Sequence, residues 1–120
     1  MLACVLLHVF EADALVARAE QIGGASAVIA ALEEWDQQGL KAIASAIASR
    51  PRHVAALFSI PAPSAIVIAR SADLHVDSGA MLKKLIERFG GKGGGRPDLA
   101  QGGGLQGSTD DFVAFVRRVL

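Results

Sequence analysis

Residues 90–104 read Gly-Gly-Lys-Gly-Gly-Gly-Arg-Pro-Asp-Leu-Ala-Gln-Gly-Gly-Gly, and eight of the chain's 13 glycines fall in these fifteen positions. Glycine loses more conformational freedom on folding than any other residue, so a folded chain concentrates it where the backbone geometry demands it. Two demands are common. One is a positive φ; the other is close approach of bare backbone to a ligand, where successive N–H groups form an anion-binding concavity. Lys92 and Arg96 lie within the stretch, and Lys83, Lys84 and Arg88 lie on the segment leading into it. Glu87 is the single acid from Lys83 to Arg96. A structured contact loop over residues 90–104 that receives a phosphate-bearing partner fits that combination. The competing reading is a flexible linker between two helices, but such linkers are usually padded with serine. This stretch has no serine and carries Arg-Pro-Asp-Leu-Ala-Gln at its centre.

Outward from the glycines, the pattern alternates between strands and helices. Ser78 starts a helix with Met81, Leu82, Leu85, Ile86 and Phe89 inward and Lys83, Lys84, Glu87 and Arg88 outward, stopped by Gly90-Gly91. On the other side, Ser108 stands three residues before Asp111, as in a capping box. The helix it opens buries Phe112, Val113, Phe115, Val116 and Val119. Upstream, Val54–Ile60 and Ala65–Ala69 are apolar runs separated by Pro61-Ala62-Pro63, the punctuation of a paired hairpin. Before them, Asp36 caps a helix with Leu40, Ile43, Ala44 and Ile47 on one face, ended by Pro51. Ser26–Leu32 reads as a short buried strand. Asp13–Ile22 reads as a helix stopped at Gly23-Gly24, and Ala3–Phe10 suits helix or strand, with helix preferred. The expected fold is α/β (α+β): a small mixed sheet flanked by helices. Residues 1–24 form a separate N-terminal helical segment in this reading, and residues 25–120 the sheet-containing domain.

A chain of 120 residues is one domain, and 52% hydrophobic residues with a mean hydropathy of +0.39 are enough for a folded core. No apolar run reaches the roughly 18 residues of a membrane span. Met1–Phe10 lacks the basic start of a secretory signal. The one cysteine, Cys4, allows no internal disulfide, so a reducing cytoplasm is expected. The zero net charge hides a split. Met1–Asp36 has six acids against one base, a net of −5, while Gln37–Leu120 carries +5. That asymmetry points to a polyanion partner for the second part and a different role for the first.

No catalytic set emerges. The P-loop pattern is absent, and Gly102-x-Gly104-x-x-Gly107 lacks the downstream acid of a dinucleotide site. Cys4 and His8 have the i, i+4 spacing to share a metal, yet two ligands leave a zinc site incomplete. His53 follows Arg50-Pro51-Arg52 and reads as a half-exposed surface group. His75, near Asp73 and Asp77, has no nucleophile or metal beside it. Ser45 and Ser49 share a helix face without a matching histidine or acid. Glu33 and Glu34 point to opposite sides of a strand. Trp35 reads as core or dimer interface before base stacking, and Arg117 and Arg118 as helix C-terminal cations. Neither a cofactor nor a metal is expected.

The glycine stretch resembles the signature of the DHH-associated C-terminal domain, in the version carried by alanyl-tRNA synthetases and free-standing alanyl-tRNA editing proteins. Ala69-Arg-Ser-Ala-Asp-Leu74 with Asp77, Gly79 and Leu82 is similar to the same C-termini, as are Glu20–Gly24 and the strand to Leu32. The resemblance spans about Ala14 to Leu120. It implies a domain that contacts tRNA, tRNA(Ala) in particular and its elbow, for an active site outside this chain. It also implies that residues 1–24 are a linking or oligomerisation helix that assists homodimerisation, ahead of a nucleic-acid-binding domain at residues 25–120. By position, the contact residues are Gly90, Gly91, Lys92, Gly93, Gly94, Gly95, Arg96 and Gln101, with Lys83, Lys84 and Arg88 broadening the field. Two other readings stay open: a dimerisation or protein-interaction module whose glycines are purely structural, and the accessory domain of a DHH-type phosphoesterase.

Overall fold

A computed structural model of the chain describes residues 14–22, 24–33, 37–60 and 64–119. The two apolar runs on either side of the proline pair become β3 (His53–Ile60) and β4 (Ser64–Arg70), an antiparallel pair in the middle of the sheet. Their runs are unbroken because both faces are covered, and a strand buried on both sides does not alternate with polar residues. Around them lie β1 (Glu20–Ile22), β2 (Ala25–Glu33), α1 (Gln37–Ala48), α2 (Ser78–Phe89), β5 (Lys92–Gly95), β6 (Leu99–Leu105) and α3 (Thr109–Val119). The six strands form one sheet in the order β1-β2-β3-β4-β6-β5. Only β2 and β3 run parallel, joined through α1 as a βαβ crossover; the other pairs are antiparallel. This is the mixed sheet flanked by helices that the sequence pattern implies.

Alternation along the central strands divides the core into two layers. Ala55, Leu57, Val67 and Ala69 face Leu40, Ile43, Ala44 and Ile47 of α1. Ala56, Phe58, Ile66 and Ile68 face Met81, Leu82 and Leu85 of α2 and Phe112 and Val116 of α3. The apolar positions expected on α1 are all buried, and Pro51 lies just beyond its end. The rings of Phe58 and Phe89 close on Phe112 at centroid distances of 5.3 and 4.7 Å, which anchors α3 to the sheet. Ser108 accepts from the Asp111 N–H at 3.2 Å, as its spacing predicts.

Two readings of local structure are corrected. The expected helix from Asp13 to Ile22 is helical only at residues 14–16 among those described, and Glu20–Ile22 form β1. Ile22 pairs with Ala25, so the chain turns a hairpin instead of ending a helix, with Gly24 at φ +81°. Helix propensity in the alanines is a weak preference, and a strand partner nearby in sequence overrides it. Secondly, the stretch from Gly90 to Gly104 is not a loop. Most of it is the β5–β6 hairpin, closed by Arg96-Pro97-Asp98, with the Arg96 N–H donating to Leu99 O at 2.9 Å. Ala3–Phe10, Cys4, His8, Trp35 and the Asp36 cap lie outside the described residues.

The hairpin explains its own glycines. A Cβ on Gly93 would lie 2.5 Å from the Gly102 Cα, and one on Gly95 would lie 2.5 Å from the Ala100 Cα. A Cβ on Gly94 would meet nothing within 4 Å. Gly90, Gly91 and Gly104 instead have positive φ, at 83°, 101° and 78°. The demand is therefore in part a third kind: strand against strand, with no room for side chains between them.

The far end of the sheet is tied by polar contacts. Arg52, at φ +59°, donates through Nε and Nη2 to Gly24 O at 3.0 and 2.6 Å. Its N–H donates to both carboxylate oxygens of Asp73 at 3.1 Å, and the Ser71 hydroxyl donates to the same carboxylate. Those bonds, Ser71 first and the Arg52 N–H next, hold the Asp73 carboxyl below the usual carboxylate range. Arg117 of α3 forms a fork on Glu20 of β1 at 2.9 and 2.7 Å.

Two predictions follow from this packing. Gly95→Ala should lose about 1–3 kcal/mol through overpacking, whereas Gly94→Ala should stay within about 0.5 kcal/mol of wild type. Urea unfolding reads both; equal losses would show that cross-strand space is not what requires glycine. A carboxyl depressed in the folded state stabilises it above the unfolded pKa, and that contribution is lost as pH falls through the folded pKa. Asp73→Asn should therefore melt below wild type at pH 7, with the gap closing below about pH 4. A gap independent of pH would mean that the charge on Asp73 holds nothing.

Candidate nucleic-acid interface

The hairpin is seated by the first turn of α2. Asp77, in extended conformation, caps that helix by accepting from the Ala80 N–H at 3.1 Å. The Ser78 N–H donates to Pro97 O at 2.9 Å, which binds the helix start to the hairpin turn. A Cβ on Gly79 would sit 3.1 Å from Gly95 O, so the helix approaches β5 closely. Between them runs a groove of about 680 Å³, with Ala80, Lys83, Ile86 and Glu87 on one wall and Gly93–Gly95 and Pro97 on the other. Its charge is mixed: Lys83 stands with Asp77 and Glu87.

The opposite face of the hairpin differs. Gly102 faces α2, since a Cβ there would meet Leu82 at 3.3 Å, and Ala100 packs into the α2 layer. Strand alternation then turns Gln101 toward the α1 side, with Gly94 opposite it. Lys92, opposite Gly103, shares that side. Arg96 lines a depression of about 240 Å³ together with Arg70, Asp98, Ser45 and Ser49. Its Nε lies 3.3 Å from Asp98, with the two side chains 72% and 54% exposed. An ion pair that open holds little energy and exchanges readily for another anion.

The structure thus brings Gly90, Gly91, Lys92, Gly93, Gly94, Gly95, Arg96 and Gln101 together on one exposed edge of the sheet. Lys83, Lys84 and Arg88 are also exposed, on α2, but only Lys83 lines the groove. Arg88 lies over Phe89, its guanidinium carbon 5.9 Å from the ring centroid. Sequence reasoning did not single out Arg70 as a site cation, because an arginine closing an apolar run looks like a strand end. Ser45 and Ser49 were weighed only as nucleophiles; the fold sets them beside Arg70 and Arg96.

Other candidates are scattered. His53 Nδ1 lies 2.7 Å from Pro51 O, a local turn contact. His75 is exposed beside Arg52 and Asp73 in a concavity of about 490 Å³. Among the described residues, no three His, Cys, Asp or Glu side chains are placed to hold a metal. Nor is any helix among them long and apolar enough to cross a membrane.

Comparison with known proteins follows the same lines. A family model described as the DHHA1 domain matches residues 24–120. The alanine–tRNA ligase of Fusobacterium nucleatum is 33% identical over 118 residues, covering 95% of this chain and 14% of that protein. The alanine–tRNA ligase of Methanoregula boonei is 32% identical over 99 residues, covering 82% of this chain and 10% of that protein. The chain therefore spans a small part of the length of these relatives. Among solved structures, the C-Ala domain of Aquifex aeolicus alanyl-tRNA synthetase superposes with a TM-score of 0.75 at 24% identity, covering 85% of this chain and 96% of that one. That likeness establishes the shared fold.

Proposed function

The chain belongs to the DHHA1 domain family, and on that premise we propose that it is a tRNA-binding module that holds its RNA for an active site outside these 120 residues. The observation that carries this reading is the exposed glycine hairpin with Lys92 and Arg96 projecting from it. Along that edge, backbone amides and two exposed cations stand open to solvent without bulky side chains between them. Such a surface admits a sugar-phosphate chain to within hydrogen-bonding distance. Lys83, Lys84 and Arg88 add positive potential from α2, screened over a Debye length of about 8 Å. Gln101 supplies a neutral donor and acceptor on the same strand pair.

The relatives named as alanine–tRNA ligases make tRNA(Ala) the first partner to test. In this proposal the chain contributes binding energy and orientation, in the service of aminoacylation or editing carried out elsewhere in the same cytoplasmic system. Homodimerisation belongs to the same reading, through the segment before β1.

Filter binding with tRNA(Ala), a second tRNA and single-stranded DNA at two salt concentrations tests it. Each phosphate contact adds about 0.7–0.9 to the slope of log affinity against log salt. Lys92→Ala and Arg96→Ala should each weaken tRNA binding and flatten the slope by about that amount. Binding of both variants indistinguishable from wild type would remove the hairpin from the interface.

A further inference from the structure

The side of the hairpin that faces α1 carries positive charge that the glycine signature does not describe. Gln37, at the start of α1, donates through Nε2 to Gly102 O at 2.9 Å. At the other end of the helix, Ser45 and Ser49 line the depression that also holds Arg96 and Leu99. Side chains from the two ends of α1 therefore reach toward β6, at Gly102 and at Leu99. Positions 37, 41 and 45 are spaced by four and fall on one flank of the helix, and Ser49 lies one residue past its end. Lys41 lies on that flank, one turn before Ser45, and is exposed. The seam between helix and hairpin thus presents Lys41, Arg70, Lys92 and Arg96. Asp98 is the one acid along it among the described residues.

We infer that this seam is a phosphodiester-binding track on α1, with its deepest phosphate seat between Arg70, Arg96, Ser45 and Ser49. The inference rests on the tRNA-binding reading and deepens it: it names which face of the hairpin the RNA follows. Two observations favour this face over the larger groove on the α2 side. That groove sets one cation, Lys83, against Asp77 and Glu87, a poor field for a polyanion. On the α1 side, Arg70 is half-buried, donates Nη1 to Ser71 O at 3.0 Å, and encloses an Nε with no hydrogen-bond partner among the described residues. An arginine held in place beside Arg96 in this way loses less side-chain freedom when it takes a phosphate. Arg96 completes the seat by releasing Asp98, to which it is held only by an exposed contact. The Ser45 hydroxyl is a neutral donor of the kind that accompanies arginine at phosphates, while the Ser49 hydroxyl already donates to Ala46 O at 2.6 Å and only lines the seat.

Binding of tRNA by the 120-residue chain tests the track through exposed helix positions that tolerate substitution. Lys41→Ala should flatten the salt slope by about 0.7–0.9. Ser45→Glu, which places a carboxylate at the seat, should weaken binding about tenfold or more, the scale of one lost charge-assisted hydrogen bond. Arg118→Ala removes the same charge from the exposed side of α3, on the other face of the sheet, and should leave binding near wild type. Thermal melts should show all three folded. If Lys92→Ala and Arg96→Ala weaken binding while Lys41→Ala and Ser45→Glu do not, the hairpin reading survives and the track on α1 is overturned. If wild type does not retain tRNA at all, both fall together.

Discussion

The β5 and β6 strands lie so close that three positions between them have no space for a single methyl group. Gly93, Gly95 and Gly102 each face backbone atoms within 2.7 Å of where a Cβ would sit. That contact governs most of what is distinctive here. It makes the sheet edge thin enough for the first turn of α2 to reach the hairpin, so that the Ser78 N–H meets Pro97 O. It also leaves Lys92 and Arg96 as the long side chains on an otherwise bare strand and turn. A glycine hairpin of this kind has little to hold it in isolation, since β5 buries no side chain and β6 contributes only Ala100 and Leu105 to the core. It is ordered by what it leans on: β6 is hydrogen-bonded to β4, and β4 is buried on both faces.

The two-layer core provides that support. β3 and β4 contribute alternate residues to both layers, so neither layer can slip in register without exposing the other. α1 covers one face and α2 with α3 the other, each through an apolar stripe at helical spacing. The glycine edge proposed as the interface is therefore thinly packed, and it leans through β6 on a strand buried on both faces. Bare backbone is accessible to a partner there without the sheet depending on it.

Electrostatics then distinguishes the two sides of the edge. Net charge over the second part of the chain says only that cations are in excess. Strand alternation assigns Lys92 and Gln101 to one side, and the turn carries Arg96 toward Arg70. Helix geometry assigns Lys83 to the other side, where Asp77 and Glu87 offset it. Cations that look like one basic cluster when read along the chain are separated by the thickness of the sheet.

By itself the sequence determined the helix around Leu40–Ile47, the hairpin either side of the prolines, the helix from Ser78 with its glycine stop, and the capped final helix. In each, local spacing and turn chemistry agree with burial, so short-range information suffices. It also determined the family, because a fifteen-residue glycine motif is specific. Tertiary structure alone decided that Glu20–Ile22 is a strand, since pairing with Ala25–Ala27 outweighs the weak helical preference of the alanines. It alone decided that the glycines form a hairpin, because the space missing between two strands is a property of their distance and not of either strand. And it alone brought Arg70, Ser45 and Ser49 to Arg96, residues up to 51 positions apart in the chain that meet because α1 and β6 pack against the same strand.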